Sequence, residues 1–172
     1  VGLLLSHRAD WAIVSEVEQN DDVLFKPLFS YEMVGICSKD HPLANKEVWQ
    51  AEDFAEETWV TYPVPDDMLD LYRQVLKPKG INPPRRTTEL TIALIQLVAS
   101  RRGIATVPYW AALPYLEKGY VVARKITEEG LYSNLYAAIR KEDANLAYIE
   151  DFHQTVKAQS FSTLPGLSVL EL

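Results

Sequence analysis

The 172-residue sequence contains a single cysteine, Cys37, only seven glycines and only three histidines. One cysteine excludes an internal disulfide framework and a cysteine-based metal site. The glycines never take the spacing of a phosphate-binding loop, GxGxxG or GxxxxGK[ST], which disfavours a nucleotide-dependent enzyme. No histidine stands at metal-ligand spacing with another histidine, a cysteine or a carboxylate pair. The sequence therefore predicts neither a metal site nor a cofactor.

Long apolar runs are also missing, because no stretch approaches the length that crosses a bilayer. The N-terminal stretch VGLLLSHRADWAIVS has no charged region ahead of its apolar residues and no cleavage-site pattern, so we do not interpret it as a signal peptide. Together with the single thiol, this favours a cytoplasmic protein without membrane contacts. Cys37 itself stands in an apolar strand pattern, EMVGICSK, which is typical of a small core residue.

Positive charge is scarce: 17 Lys and Arg face 24 Asp and Glu, and the net charge is −7. Binding to duplex DNA requires clustered basic side chains that displace counterions. The basic pairs Arg85–Arg86 and Arg101–Arg102 are isolated, and the second pair is typical of the charged last turn of a helix. If the protein acts on DNA, we expect a part outside this chain to contact it.

Hydrophobic residues make up 48% of the sequence and follow alternating strand and helix patterns. This alternation predicts an α/β protein with mainly parallel sheets. The strand patterns are WAIVS, DVLFKPLF, YEMVGICSK, TWVTYP, RRTTEL, GIATVP, VVARKI and SNLYAAIRK. We expect WAIVS to be a buried parallel strand whose partners precede this sequence. In DDMLDLYRQVLKPKG, one helical face is predicted to hold Met68, Leu69, Tyr72, Val75 and Leu76.

The strand and helix units suggest two subdomains. Residues 32–140 contain a complete set of units, whereas the first thirty residues contain only part of one. We predict that the chain changes subdomain near Tyr31–Glu32 and returns near Arg140–Lys141. Residues 1–31 and 141–172 would then form an incomplete first subdomain, covered by the final helix, and residues 32–140 the second.

Candidate catalytic groups are few. His41, in KDHPLA, is the one histidine that we consider as a general base, but its neighbours are typical of a turn and nothing in the sequence orients it. His153 is expected near the surface of the last helix. No GxSxG motif supports an α/β-hydrolase. The sequence therefore favours a protein that is not an enzyme.

Polar residues follow several predicted strands, where ligands of open α/β sheets bind. These strand ends are Ser15–Glu16, Thr61–Pro63, Thr88–Glu89 and Thr106–Pro108. A single Thr or Ser at such a place is typical of a helix cap or a turn. Short hydroxyls that alternate with aromatics and prolines at several ends predict a shared cleft for a small polar ligand.

Several stretches occur in the order found in one family. They are RADWAIVS, PLFSYEMVGICSKDHPLA, TWVTYP, LTIALIQLVASRRGIATVPYW and LYAAIRKED. The sequence resembles the effector-binding domain of LysR-type transcriptional regulators. Through VTYPV, PYW…LEKGYVV and LYAAIR it most resembles the homocysteine-sensing regulators of methionine biosynthesis. The resemblance implies two Rossmann-like subdomains of the type 2 periplasmic-binding-protein architecture, joined by two crossing strands, with the effector between them.

The resemblance also implies the effector-binding residues, which are Ser15, Tyr62, Pro63, Asp66, Asp67, Met68 and Pro108. For homocysteine, we expect Asp66 or Asp67 to meet the ammonium group. Ser15 and the N–H groups of a helix N-terminus would meet the carboxylate, and an apolar wall that includes Met68 would face the thiol. Catalytic residues are not expected.

Partners follow from the same resemblance. The effector domains are expected to form a homodimer or homotetramer through the helix Leu90–Arg102, with its second stripe Ile92, Ile95 and Ala99, and through the opening GLLLSHR helix. Operator DNA would be bound through a winged helix-turn-helix, which is absent from this sequence, as are the first strand and helix of the domain. RNA polymerase is a further expected partner. The alternatives are a solute-binding transport protein of the same architecture and an enzyme that uses His41.

Overall fold

The computed structural model describes residues 1–170 and divides into two compact units. The terminal unit combines Val1–Tyr31 with the chain from Ser133 onward, and the central unit is Glu32–Tyr132. Residues 133–140, which the sequence analysis places in the second subdomain, therefore belong to the terminal unit. Both changes of unit fall inside long strands.

The regular elements of the described residues are four α-helices, nine strands and several short turns of other helix types. The α-helices are α1 (Gly2–Leu5), α2 (Thr91–Ala99), α3 (Tyr109–Glu117) and α4 (Ala147–Thr163). The strands are β1 (Trp11–Val14), β2 (Val23–Cys37), β3 (Val48–Trp49), β4 (Trp59–Thr61), β5 (Arg85–Thr87), β6 (Ile104–Pro108), β7 (Val122–Ile126), β8 (Leu131–Arg140) and β9 (Leu167–Ser168). The 3₁₀ turns are Pro42–Asn45, Ala51–Phe54, Asp66–Met68, Lys77–Lys79 and Lys141–Asp143, and Tyr72–Leu76 forms a π-helical turn.

The central unit is built on strands in the order β2-β6-β4-β5. β4 runs parallel to both β5 and β6, whereas β6 pairs antiparallel with β2. β7 pairs antiparallel with β2 and parallel with β3. The burial of nearly every residue of β4 and β6, the threonines included, fits this arrangement, because strands covered on both faces bury nearly every side chain.

Helix α2 packs on this sheet through one side only. Leu94, Ile95 and Val98 are fully buried in a cluster with residues of β4 and β6. Ile95 was predicted to lie on a second, exposed stripe, and that prediction is wrong because its side chain belongs to the core of its own unit. The exposed apolar residues of this region are Leu90 and Ile92, at 63% and 56% exposure.

The predicted single helix over DDMLDLYRQVLKPKG is instead a chain of short turns. The 3₁₀ turn Asp66–Met68 is followed by the π-helical turn and by a second 3₁₀ turn, and Pro65 precedes the first of them. Met68 is 61% exposed, so it does not share the buried face of Val75 and Leu76. Gly80 ends the segment with a φ of +67°, as expected for a glycine cap.

The terminal unit has antiparallel pairing where the sequence predicts parallel pairing. β1 pairs antiparallel with β8, and its side chains are only partly buried. β8 neighbours β2, and β9 pairs with β2. The two predicted strand patterns DVLFKPLF and YEMVGICSK form one continuous strand, β2. Pro27 lies within it, because the extended backbone accommodates the fixed φ of proline. The strand pairing of the protein is therefore mixed rather than mainly parallel.

Helix α4 covers the terminal unit through Ile149 and His153. His153 is only 4% exposed, so the prediction that it lies near the surface is wrong. Its ring lies against Trp11, with centroids 6.5 Å apart. Burial of the imidazole lowers the pKa of His153, and the charge of Lys26 lowers it further.

Candidate functional site

The carboxyl ends of β4, β5 and β6 meet at one edge of the central unit. Because the three strands are parallel, Thr61 of β4 stands opposite Thr87 of β5, and the Thr88 N–H donates to the Thr61 carbonyl at 3.0 Å. Thr61 and Thr106 are buried, and Tyr62 and Thr88 follow at the rim. Of the predicted strand ends, three are therefore brought to the same edge of one unit.

Tyr62 connects this edge to the beginning of α2. Its hydroxyl lies 2.7 Å from the Thr91 Oγ1, at the first residue of the helix. Leu90, the N-cap residue, supplies no side-chain cap, and the first intrahelical bond runs from the Leu94 N–H to the Leu90 carbonyl. The N–H groups of the first turn thus have no intrahelical acceptor, and the positive end of the helix dipole lies beside two hydroxyls.

The segment after β4 turns sharply and presents two carboxylates. The Val64 N–H donates to the Tyr62 carbonyl at 2.9 Å, and the Leu69 N–H donates to the Asp66 carbonyl at 3.0 Å. Asp66 accepts a hydrogen bond from Arg85 through Oδ1. Asp67 Oδ1 accepts from Lys77 Nζ at 2.7 Å, on the exposed side of the segment.

Arg85 lies against two aromatic rings. Its guanidinium carbon is 5.1 Å from the Trp59 ring centroid and 5.0 Å from that of Tyr72. The first contact follows from strand register, because Arg85 of β5 stands directly opposite Trp59 of β4. A cation over two rings is attracted by both π-faces.

The predicted effector-binding residues fall into both units. Those of the central unit are Tyr62, Pro63, Asp66, Asp67, Met68 and Pro108, all at or after the ends of β4 and β6. Pro63, Asp66, Asp67 and Met68 are exposed. Ser15 is an exposed residue that follows β1 in the terminal unit. The role of each residue stays a prediction.

Two residues of the site were missed by the sequence analysis. Thr91 could have been found from its place at the start of a helix that follows a polar strand end, because the N-terminus of a helix favours anions. The sequence gives no indication of a role for Arg85 beyond its place in an isolated basic pair. Only the register of β5 against β4 shows that it lies opposite Trp59. Its neighbour Arg86 is exposed.

His41 has no nitrogen left for general-base chemistry. Its Nδ1 accepts from the Leu43 N–H at 3.2 Å and caps the turn Pro42–Asn45, and its Nε2 lies 3.3 Å from Glu57 Oε2. This pattern requires the proton on Nε2, where it is donated to the carboxylate. The geometry agrees with the turn interpretation of KDHPLA rather than with a catalytic histidine.

Cys37 and the acidic side chains offer no reactive or metal-binding centre among residues 1–170. Burial raises the pKa of the Cys37 thiol to about 11, so it stays protonated at neutral pH. Within the same residues, no group of three or more His, Cys, Asp or Glu side chains could hold a metal ion. No helix in the described part of the chain has the length and apolarity needed to cross a membrane.

The model of one family, the LysR substrate binding domain, matches residues 1–160. The chain therefore belongs to the family of LysR substrate-binding domains. It is 85% identical over 172 residues to the HTH-type transcriptional regulator MetR of Haemophilus influenzae. This match covers all of this chain and 56% of that protein. It is 36% identical over 156 residues to MetR of Salmonella typhimurium, with 91% and 49% covered. The chain spans about half the length of these curated relatives.

Solved structures agree with this assignment. The regulatory domain of MetR, a LysR family regulator from N. meningitidis, matches with a TM-score of 0.92 and 65% identity over 99% of this chain and 79% of that one. The effector binding domain of QuiR in complex with shikimate matches with a TM-score of 0.75 and 23% identity over 92% and 76%, which shows the fold alone. The predicted fold class, α/β with the type 2 periplasmic-binding-protein architecture of LysR regulatory domains, is confirmed.

Proposed function

We propose that this chain is the effector-sensing domain of a LysR-type transcriptional regulator, which binds homocysteine and controls genes of methionine biosynthesis. The observation that carries the proposal is its identity of 85% over the whole chain with a relative named as the regulator MetR. The names of the relatives favour this function over a solute-binding transport protein of the same architecture and over an enzyme. A cytoplasmic location is part of the proposal.

The edge of the central unit offers groups for each end of an amino acid. A carboxylate suits the first turn of α2, where backbone N–H groups point away from the helix beside the hydroxyls of Tyr62 and Thr91. An ammonium group suits the carboxylate of Asp66 or that of Asp67. Pro63 and Pro108 are apolar residues at the ends of β4 and β6, near which the thiol end would lie. Homocysteine carries these three groups together.

The proposal separates effector binding from DNA binding. The chain carries a net charge of −7, and its two arginine pairs are isolated, which disfavours contact with a polyanion. We infer that operator DNA is bound by a part of the full-length regulator outside this chain. Effector binding would then act by shifting the populations of two arrangements of the regulator.

Calorimetry on the full-length protein tests the effector. The ligands are homocysteine, methionine and 4-mercaptobutanoate, which keeps the thiol and the carboxylate of homocysteine but lacks the ammonium group. We expect the tightest binding for homocysteine. Equal affinity for all three ligands, or no binding of any, would contradict the proposal. Tyr62→Phe should weaken homocysteine binding, because it removes the hydroxyl beside Thr91, whereas Tyr120→Phe, an exposed tyrosine after α3, serves as the matched control.

Association through α2 is also proposed, on the exposed side chains Leu90 and Ile92. Large apolar side chains at this exposure on one helix are typical of a surface that meets another protein. Light scattering should show a smaller oligomer for Ile92→Glu than for Gln96→Glu, an exposed polar position on the same helix. If both variants keep the size of the unmodified protein, α2 is not the interface.

A further inference from the structure

We propose that Arg85 is a positioning residue of the effector site and that the carboxylate it holds, Asp66 rather than Asp67, receives the ammonium group of the effector. The inference rests on the proposed function, because it assigns one of two candidate carboxylates to an amino-acid ligand. Nothing in the sequence separates these adjacent aspartates. The structure separates them by the cations that hold them.

The position of Arg85 is determined by contacts other than its ion pair with Asp66. Its strand, β5, is anchored to β4 by parallel pairing, and its guanidinium carbon lies over the rings of both Trp59 and Tyr72. Trp59 is only 1% exposed, so one of these two rings belongs to the core. The attraction to both rings restricts the Arg85 side chain, whose Nη1 reaches Asp66 Oδ1.

Asp66 is held at both of its ends. The Arg85 Nη1 donates to its Oδ1, and its backbone carbonyl accepts from the Leu69 N–H at 3.0 Å. One carboxylate oxygen can accept from several donors, and Oδ2 is left to accept from a second cation. Arg85 therefore presents the carboxylate without consuming its full acceptor capacity.

Asp67 is held much more loosely. Its only cation in the described residues is Lys77, and the side chains of the two are 71% and 57% exposed. Exposed pairs of long side chains are screened by water and salt and contribute little to a fixed geometry. The side chains of Arg85 and Asp66 are less exposed, at 25% and 48%. A ligand that recruits Asp67 must order a more exposed pair than one that recruits Asp66, and binding is tighter when less freedom is lost.

The test measures binding of homocysteine and 4-mercaptobutanoate to variants of the full-length protein. We expect Asp66→Asn and Arg85→Met to weaken homocysteine by about tenfold or more and to leave 4-mercaptobutanoate within about twofold, because only the ammonium contact is lost. The affinity of Arg85→Lys for homocysteine should lie between those of Arg85→Met and the unmodified protein, since lysine restores the charge but not the planar guanidinium group. The matched controls are Asp67→Asn and Arg86→Ala, which changes the adjacent exposed arginine. Their affinities for homocysteine should stay within about twofold of that of the unmodified protein.

If Arg85→Met weakens the binding of both ligands equally, Arg85 has only a structural role, and the proposal is overturned. A larger loss from Asp67→Asn than from Asp66→Asn would overturn the assignment of the carboxylate. If 4-mercaptobutanoate does not bind the unmodified protein, the homocysteine series decides between the two aspartates. Hydrogen exchange in residues 63–69 then decides the role of Arg85.

Hydrogen exchange also separates this proposal from the proposed function. If homocysteine does not bind the unmodified protein at all, the proposed function fails, and with it the assignment of an ammonium ligand. The positioning role of Arg85 still predicts about tenfold faster exchange in residues 63–69 for Arg85→Met than for Arg86→Ala. Equal exchange in the two variants would overturn that role as well.

Discussion

The two units differ in the kind of polar side chain that they bury. In the described residues the terminal unit encloses the ionisable side chains of Arg140 and His153 besides the hydroxyl of Ser133, whereas the buried polar side chains of the central unit are all small hydroxyls, among them Thr61 and Thr106. The central unit also contains two large apolar clusters, one around Trp49, Phe54 and Trp59 and one around the buried face of α2. We infer that the stability of the terminal unit depends on charge, and that of the central unit on shape.

Arg140 shows how the terminal unit uses a buried charge. Its Nη1 donates to the carbonyls of Leu4 and Ala9 at 2.9 and 2.6 Å, and its Nη2 donates to Asp10 at 2.6 Å. Its Nε donates to Asp143 at 2.5 Å. One side chain therefore joins the end of α1, the approach to β1 and the turn that follows β8.

The largest expected effect is that of Arg140→Met. Methionine fills much of the volume but leaves the carbonyls of Leu4 and Ala9 and the carboxylate of Asp143, which is 20% exposed, without their donor. The loss of the donor to buried acceptors is strongly destabilising, whereas Asp10, at 62% exposure, stays accessible to water. We expect amide exchange in α1 and β1 to accelerate on the order of several hundredfold. Arg102→Met, at an exposed arginine, is the control. Exchange in β1 no faster than in that control would refute the dependence on charge.

The matching test of the central unit uses two glycines. At Gly103, with a φ of +148°, a Cβ would lie 2.2 Å from the Thr58 carbonyl oxygen, so the two backbones approach too closely for any side chain. Gly80 also has a positive φ, +67°, but a Cβ there meets nothing within 4 Å. We expect Gly103→Ala to lower the free energy of unfolding by about 2 to 3 kcal/mol and Gly80→Ala by about 1 kcal/mol. Urea unfolding measures both, and equal losses would show that backbone strain, not shape, sets the effect.

The third effect is a pH dependence that arises in the terminal unit. Burial lowers the pKa of His153 in the folded state, and its Nδ1 has no hydrogen-bond partner among the described residues. The charges of Lys26 and Lys157 lower that pKa further, and Glu150 opposes them. The unfolded state therefore binds more protons, and stability falls as the pH drops below about 6.5, by at most about 1.4 kcal/mol per pH unit.

His153→Phe should remove this slope, because phenylalanine has no proton to bind. Urea unfolding between pH 7 and pH 5 measures the free energy of unfolding of the two proteins. Ala158→His, at an exposed position of the same helix, adds a histidine that titrates equally in both states and should leave the slope unchanged. An unchanged slope in His153→Phe would place the acid sensitivity elsewhere.

The sequence patterns predicted the elements better than their partners. β4 and β6, with their apolar runs and polar ends, and the cap at Gly80 lie where the patterns indicate. The prediction that β1 pairs in parallel was wrong, because side-chain periodicity indicates burial and contains no information about which strand is adjacent. Ile95 was misplaced for a related reason: two apolar stripes on a helix do not reveal which one the chain covers itself.

The candidate site divides in the same way. Tyr62 stands at a strand end that the sequence pattern predicts. The carboxylates of Asp66 and Asp67 were named only through the resemblance to LysR effector-binding domains, and their role stays a prediction. Arg85 and its stacking on Trp59 depend on the register between β4 and β5, which are more than twenty residues apart, and no local pattern encodes that register. The exposure of Met68 was missed because Pro65 and the short turns break the helical period that the prediction assumed.

The smallest expected effect compares surface ion pairs of the two units. Lys26 and Glu150 of the terminal unit are 2.5 Å apart and 25% and 44% exposed, whereas Lys77 and Asp67 of the central unit are more than half exposed. A double-mutant cycle with Lys26→Met and Glu150→Gln should give a measurable coupling in the folding equilibrium that decreases with added salt. The cycle with Lys77→Met and Asp67→Asn should change that equilibrium by less than about twofold. Equal coupling energies in the two cycles would mean that partial burial does not strengthen the ion pair of the terminal unit. The dependence of that unit on charge would then be confined to its buried side chains.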